Sequence, residues 1–179
     1  LLEDPKLLAR TGLAEAKTLE GFLYPETYFF SRVERPRQIL ATMISQYRHT
    51  FTPELRARAE ELGLSEYQVL TLASIVEKET GRAEDRGKIA AVFHNRLRKR
   101  MLLGSDPTVI YGIPEFNGNL TRKHLRTPTP YNTYTQRGLP PTPICSPGKD
   151  SLHNTLYPEN VSYLYFVARG DGASEFSST

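Results

Sequence analysis

The run Leu70-Thr71-Leu72-Ala73-Ser74-Ile75-Val76 passes without a break into Glu77-Lys78-Glu79, so two carboxylates stand where an apolar helical stretch runs out. Ser65 followed by Gln68 has the form of a capping box, which starts the helix there, and the helix ends near Gly81. A carboxyl group at the end of a buried helix is partly desolvated. Its pKa rises and it becomes a usable proton donor near neutral pH. That points to acid catalysis on a bond that breaks once protonated. The competing reading is that glutamates near a helix end are surface charges. At about 100° per residue the two project roughly 160° apart, so only one is expected to face a given cleft. Glu79 lies about 20° from Leu72 on the helical wheel and Glu77 about 20° from Leu70, so periodicity does not choose between them.

A chain of 179 residues with 39% hydrophobic content buries a real core and fits one domain, or one domain with a small appendage. The net charge of +3 comes from 23 basic and 20 acidic residues, with no long basic run. The densest cluster, Arg96-Leu97-Arg98-Lys99-Arg100, falls at the end of an expected helix, where cations complement the dipole; contact with a polyanion is the second reading. No zinc-ligand spacing, recognition-helix signature or aromatic RNA-binding signature is present, so nucleic acid finds no support. The single cysteine, Cys145, excludes an internal disulfide framework and any multi-cysteine metal site. His49, His94, His124 and His153 have no metal-binding spacing, and the expectation is a site with neither metal nor cofactor. No apolar stretch approaches the ~20 residues of a membrane helix, and the start is not a signal peptide. With no initiating Met, the chain reads as a fragment of a longer protein.

Along the chain, Phe22-Leu23-Tyr24-Pro25-Glu26-Thr27-Tyr28-Phe29-Phe30 reads as extended strand interrupted at Pro25, or as aromatic core packing. The spacing of Ile39, Leu40, Met43, Ile44 and Tyr47 predicts an amphipathic helix opened by Pro36. Further helices are predicted from Thr52-Pro53 to Gly63 and from Glu84 to Arg100, the latter with Ile89, Val92, Phe93 and Leu97 inward and Asn95 at the stripe's edge. Thr108-Val109-Ile110-Tyr111 reads as a short strand closed by Gly112. Tyr163 to Ala168 reads as a second strand, running into a turn at Gly170-Asp171-Gly172 and a return strand through Phe176. That turn accounts for Arg169-Gly170-Asp171 better than an adhesion tripeptide does. The predicted fold is α+β, a helical N-terminal half followed by a small, mostly antiparallel sheet with long loops. Residues 1–34 are read as an N-terminal strand-containing segment packed on a catalytic domain of residues 35–179.

Between the predicted strands, Pro114 to Pro158 is rich in Pro, Thr, Tyr and Asn and has little periodicity, which favours a binding surface over a spacer. Tyr131-Asn132-Thr133-Tyr134-Thr135 offers flat rings to stack on sugars and amide and hydroxyl groups to bond them. The alternative is a proline-braced loop that packs its tyrosines on the core.

Five segments, Leu72 to Thr80, Val92-Phe93-His94-Asn95-Arg96-Leu97, Ser105 to Gly112, Tyr131 to Tyr134 and Tyr163 to Ala168, together resemble the catalytic domain of the endolytic murein transglycosylases (MltG or YceG-like). Leu19 to Tyr28 is similar to that family as well, so the resemblance runs in order through nearly the whole chain from Leu19. It implies cleavage of bacterial peptidoglycan between N-acetylmuramic acid and N-acetylglucosamine, leaving a 1,6-anhydro-muramyl end. The resemblance aligns the catalytic acid with Glu79, and Glu77 is the reserve candidate. A glycoside hydrolase of the usual kind needs two carboxylates. A lytic transglycosylase needs one, because the attacking group is the sugar's own 6-hydroxyl. For substrate binding the family's motifs single out Asn95, Asp106, Tyr111, Tyr131, Asn132, Thr133 and Tyr134, although Asp106 also suits a turn cap and Asn95 a backbone contact. The resemblance further implies peptidoglycan synthases as partners, a site of action on the extracytoplasmic (periplasmic) face of the inner membrane, and an upstream membrane anchor and LysM-like region absent from this sequence.

Two alternatives stand beside this. One is a peptidoglycan-binding module without chemistry, its glutamates merely structural. The other is a cytoplasmic aminodeoxychorismate-type lyase, which would hold pyridoxal phosphate on a lysine; Lys78, Lys88 and Lys123 lack a phosphate-cradling glycine pattern beside them.

Overall fold

The computed structural model describes residues 1–169 and 173–179 of the chain. Eight helices precede two strands: α1 (Pro5–Thr11), α2 (Pro36–Thr50), α3 (Pro53–Glu61), α4 (Glu66–Glu79), α5 (Ala83–Arg98), α6 (Asp106–Tyr111), α7 (Arg122–Arg126), α8 (Lys149–Leu156), β1 (Tyr165–Ala168) and β2 (Ser174–Ser177). The strands pair antiparallel, with Phe166 opposite Phe176 and Tyr165 opposite Ser177. The fold is α+β and helix-rich, as the sequence predicts.

α4 is the axis. Its capping box forms on both arms, the Gln68 N–H donating to Ser65 Oγ at 3.2 Å and the Ser65 N–H to Gln68 Oε1 at 2.9 Å. Tyr67 and every residue from Val69 to Val76 are buried. A helix apolar on all sides is stable only when surrounded. Leu70 and Ala73 join a core with Leu19, Phe22, Ile44, Tyr47, Phe51, Leu152 and Leu156. Leu72, Ile75 and Val76 join a second with Ile89, Phe93, Leu103 and Ile144, against which Phe166 and Phe176 pack. Each such side chain stabilises the fold by about 1.5–3 kcal/mol through burial. Thr80, at φ −143° and ψ 137°, ends the helix, so the turn carrying Glu77 and Glu79 is its last. α5 follows with Glu84 and Asp85 in its first turn and Arg96 and Arg98 in its last, as the dipole favours.

Three expectations are corrected. The aromatic run from Phe22 to Phe30 contains no strand: Phe22 and Tyr24 are core residues, whereas Phe29 is 95% exposed. Pro25 offers no N–H to a ladder and, among the described residues, no partner strand pairs with the segment, so the aromatic pattern records packing alone. Thr108 to Tyr111 is helical, within α6. Pro107 sets φ for the first turn, and the Thr108 hydroxyl donates to the Ser105 carbonyl at 2.7 Å, a local closure that overrides the β-propensity of Thr, Val and Ile. The stretch from Pro114 to Pro158, read as aperiodic, contains α7 and α8. α8 buries Ser151, Leu152, Thr155 and Leu156, a stripe hidden from a hydropathy reading because half of it is hydroxylated. The predicted turn at Gly170-Asp171-Gly172 lies outside the described residues. No helix among those described is long and apolar enough to cross a membrane.

Candidate active site

Glu79 is the last residue of α4, and its Oε1 accepts the hydroxyl of Ser105 at 2.5 Å. Burial raises its pKa above the ordinary carboxylate value and the charge of Asp106 adds to this. The Ser105 hydrogen bond and the Arg96 guanidinium pull the other way without cancelling the rise. Arg96 is locked on α5: its Nε donates to the Leu164 carbonyl at 2.7 Å, its Nη1 to that of Leu103 at 2.5 Å, and its guanidinium lies 5.5 Å from the centre of the Tyr165 ring. Beside it the Tyr134 hydroxyl donates to Asp106 Oδ1 at 2.7 Å. Burial, then this bond to a carboxylate, raises the pKa of Tyr134 and keeps the phenol protonated.

The loop from Leu103 to Asp106 carries Ser105 under Glu79 because it is pinned to the tyrosine-rich segment. The Gly104 N–H donates to the Thr133 carbonyl at 3.0 Å, and the Ser105 N–H to Thr133 Oγ1 at 2.9 Å. Gly104 has a φ of +59° and runs close to both Arg96 and Tyr134; a β-carbon there would sit 3.5 Å from Arg96 Nη1 and from Tyr134 Cε1.

Of the residues expected from sequence, the fold links Glu79 to Thr133 through Ser105, sets the charge of Asp106 on Glu79, and bonds Asp106 to Tyr134, whose backbone N–H Asn132 accepts. Asn132 is fully buried. Its amide donates to the carbonyls of His124, Leu125 and Thr127 at 3.2, 3.1 and 2.7 Å, and its Oδ1 accepts the Tyr134 N–H at 2.9 Å, so one side chain shapes the whole loop. Tyr111 and Tyr131 pair with ring centres 4.9 Å apart, Tyr131 bonded to Thr142 Oγ1 at 2.9 Å. Tyr111 lines a cavity of about 390 Å³ with Lys78, Pro107, Ile110 and Ile144. Glu77 and Asn95 lie elsewhere. Glu77 Oε2 accepts the N–H of Gly148, the N-cap of α8, at 3.1 Å. The Asn95 amide donates to the carbonyls of Val161 and Tyr163, both at 2.9 Å, and borders a cavity of about 680 Å³ with Arg58, His94 and Arg98 that none of Glu79, Ser105, Asp106 and Tyr134 lines.

Sequence reasoning passed over Ser105 and Arg96. Arg96 was grouped with a solvated helix end, yet it lies about 20° from the buried Ile89 on the helical wheel, which marks it as inward. Ser105 opens the family-like segment Ser105 to Gly112, and nothing in its local spacing points to Glu79. Among the described residues no three His, Cys, Asp or Glu side chains converge as a metal would require. Cys145 donates to the Ser74 carbonyl at 3.3 Å, and burial pushes its thiol up to about 12, far from a reactive thiolate.

A desolvated carboxyl at a helix end, facing loops that carry tyrosine and aspartate, forms a candidate acid–base centre on an α+β domain. The chain belongs to the YceG-like family, whose model matches residues 3–179. It is 39% identical over 165 residues to a Bacillus subtilis protein named endolytic murein transglycosylase, an alignment covering 90% of this chain and 45% of that protein. A Streptococcus pneumoniae protein of the same name is 32% identical over 155 residues, covering 84% of this chain and 28% of its own length. The crystal structure of a YceG-like protein from Listeria monocytogenes superposes with a TM-score of 0.85 at 37% identity, covering 99% of this chain and 62% of that one. The chain thus spans less than half the length of these two named relatives.

Proposed function

We propose that this chain is the catalytic part of an endolytic peptidoglycan lytic transglycosylase, with Glu79 as its acid and base. The observation that carries the reading is the Glu79 carboxyl, desolvated, hydrogen-bonded on one oxygen by Ser105 and within the field of Asp106, which Tyr134 bonds; the names of the relatives agree with it. The protonated carboxyl gives its proton to the glycosidic oxygen between N-acetylmuramic acid and N-acetylglucosamine, and the bond to the anomeric carbon breaks. The muramyl 6-hydroxyl attacks that carbon, its proton passes to the Glu79 carboxylate, and a 1,6-anhydro end is left. Water takes no part. Positioned proton transfer contributes about 100- to 10,000-fold, and orientation and charge stabilisation supply the remainder. Tyr134, Asp106, Tyr111 and Tyr131 are the residues we assign to the sugar, while Asn132 and Thr133 shape the loop from beneath. The Ser105 hydrogen bond and, less strongly, the Arg96 guanidinium oppose the rise in the Glu79 pKa that burial causes.

In the longer protein this domain would act on glycan strands at the extracytoplasmic face of the membrane, beside the synthases that make them. Mass spectrometry of fragments released from purified peptidoglycan tests the reading. Anhydro-muramyl products that disappear with Glu79→Gln and persist with Glu77→Gln are expected. Reducing-end products would mean hydrolysis, with Asp106, whose charge acts on Glu79, as the second carboxylate. Binding without any product would mean a non-catalytic module.

A further inference from the structure

The two oxygens of the Glu79 carboxyl are not equivalent. Oε1 accepts the Ser105 hydroxyl, and among the described residues Ser105 is the one hydrogen-bond donor to this side chain. Ser105 is itself 1% exposed, and a count of protons fixes how it is held. Its N–H donates to Thr133 Oγ1 at 2.9 Å. The single hydroxyl proton of Thr108 goes to the Ser105 carbonyl at 2.7 Å, since a carbonyl only accepts. Thr133 Oγ1 lies 2.8 Å from Thr108 Oγ1 and 3.5 Å from the Ser105 carbonyl, so its one hydroxyl proton is shared between these two acceptors. Each hydroxyl proton in this buried ring has an acceptor within reach, and that of Ser105 points at Glu79 Oε1.

We propose that Ser105 is the positioning residue of the acid: its hydroxyl occupies Oε1 of Glu79 as a permanent donor, so the proton that moves resides on Oε2, with Thr133 and Thr108 holding Ser105 in place. A proton on Oε1 would turn the hydroxyl of Ser105, a residue only 1% exposed, away from its acceptor, leaving a buried unsatisfied donor that costs free energy. The inference deepens the transglycosylase reading and rests on it for the reaction. Oε2–H delivers the proton to the leaving oxygen, Oε2 later receives the proton of the 6-hydroxyl, and the Ser105 proton stays on Ser105 throughout, bonded to the carboxylate between the two steps. The downward pull of Ser105 on the Glu79 pKa, against the upward push of burial, agrees with that role. Thr133, expected from sequence to touch sugar, acts here through Ser105.

The test is a titration of the Glu79 carboxyl by carbon-13 NMR in the unmodified chain, Ser105→Ala and Ser105→Thr, with Glu79→Gln identifying the signal. Removing a donor to a carboxylate raises its pKa, so Ser105→Ala is expected to titrate about one pH unit higher and Ser105→Thr to return to the original value. On peptidoglycan, Ser105→Ala is expected to lower kcat roughly 10- to 100-fold with KM unchanged and to move the alkaline limb of the pH profile upward. Should Ser105→Ala lose the fold, the near-isosteric Ser105→Cys, a weaker donor, carries the same comparison and is expected to shift in the same direction. An unaltered Glu79 titration in a folded Ser105→Ala or Ser105→Cys protein overturns the proposal. A shifted titration in a chain that releases no anhydro product even unmodified refutes the transglycosylase reading while supporting the Ser105–Glu79 coupling.

Discussion

Glu77 and Glu79, two residues apart on the last turn of α4, bind opposite parts of the chain: Glu77 takes the backbone N–H of Gly148 at 3.1 Å and Glu79 the hydroxyl of Ser105 at 2.5 Å. The first holds the start of a helix, where a negative charge meets the positive end of the dipole. The second is desolvated beside Asp106, which raises its pKa as the proposed proton donor requires.

The two glutamines are therefore expected to differ. Glu79→Gln should reduce release of anhydro-muramyl products by at least about 100-fold with the fold intact. Glu77→Gln should retain most activity and lose about 0.5–1 kcal/mol of stability, because it removes a charge from the α8 N-terminus. Product analysis and thermal denaturation of the pair separate these outcomes.

Because the folded-state pKa of Glu79 is raised, the native state holds a proton that the unfolded chain releases. The stabilisation this gives is complete below the unfolded pKa near 4.5 and is lost as pH rises through the folded pKa. Glu79→Gln, uncharged at every pH, should thus gain stability relative to the unmodified chain on going from pH 4 to pH 7. Denaturant unfolding of both proteins at the two pH values reads the difference directly; a constant offset would contradict the shift.

Arg96 bridges the carbonyls of Leu103 and Leu164 and lowers the Glu79 pKa by its charge. Arg96→Gln should destabilise the fold by about 2–4 kcal/mol, since two buried carbonyls lose charged donors, and should raise the Glu79 pKa. Circular dichroism melts and the NMR titration test the two effects separately.

Asn132→Ala strips donors from three carbonyls and an acceptor from the Tyr134 N–H at a fully buried position. The expected cost is about 3 kcal/mol, equivalent to a fall in Tm of roughly 6–12 °C for a domain of this size. Activity should fall as well, because Tyr134 and Thr133 lose their setting. A melting curve that does not move would mean that this loop is held by other contacts.

Local pattern made α2, α3, α4 and α5 and the final hairpin legible before any coordinates. In each, apolar spacing, a proline in the first turn, a capping box or alternating aromatics states its own secondary structure. The misread segments are those where a local signal competes with a contact it cannot foresee. Thr108 to Tyr111 has strand-forming side chains but a helical start at Pro107, and α8 hides its buried face behind Ser151 and Thr155.

The same division runs through the site. Glu77 and Glu79 were marked together by residues on their own helix, because carboxylates at the end of an apolar run are a local fact of spacing; the family resemblance, not periodicity, singled out Glu79. Ser105, 26 residues further on, and Arg96 on the next helix became visible as its partners only through the folded chain. Hydrogen-bond geometry and desolvation depend on which atoms approach across long sequence separations. Helical periodicity placed Glu77 and Glu79 on different sides of α4; tertiary packing brought the Ser105 hydroxyl, held by Thr133, to one and the Gly148 N–H to the other.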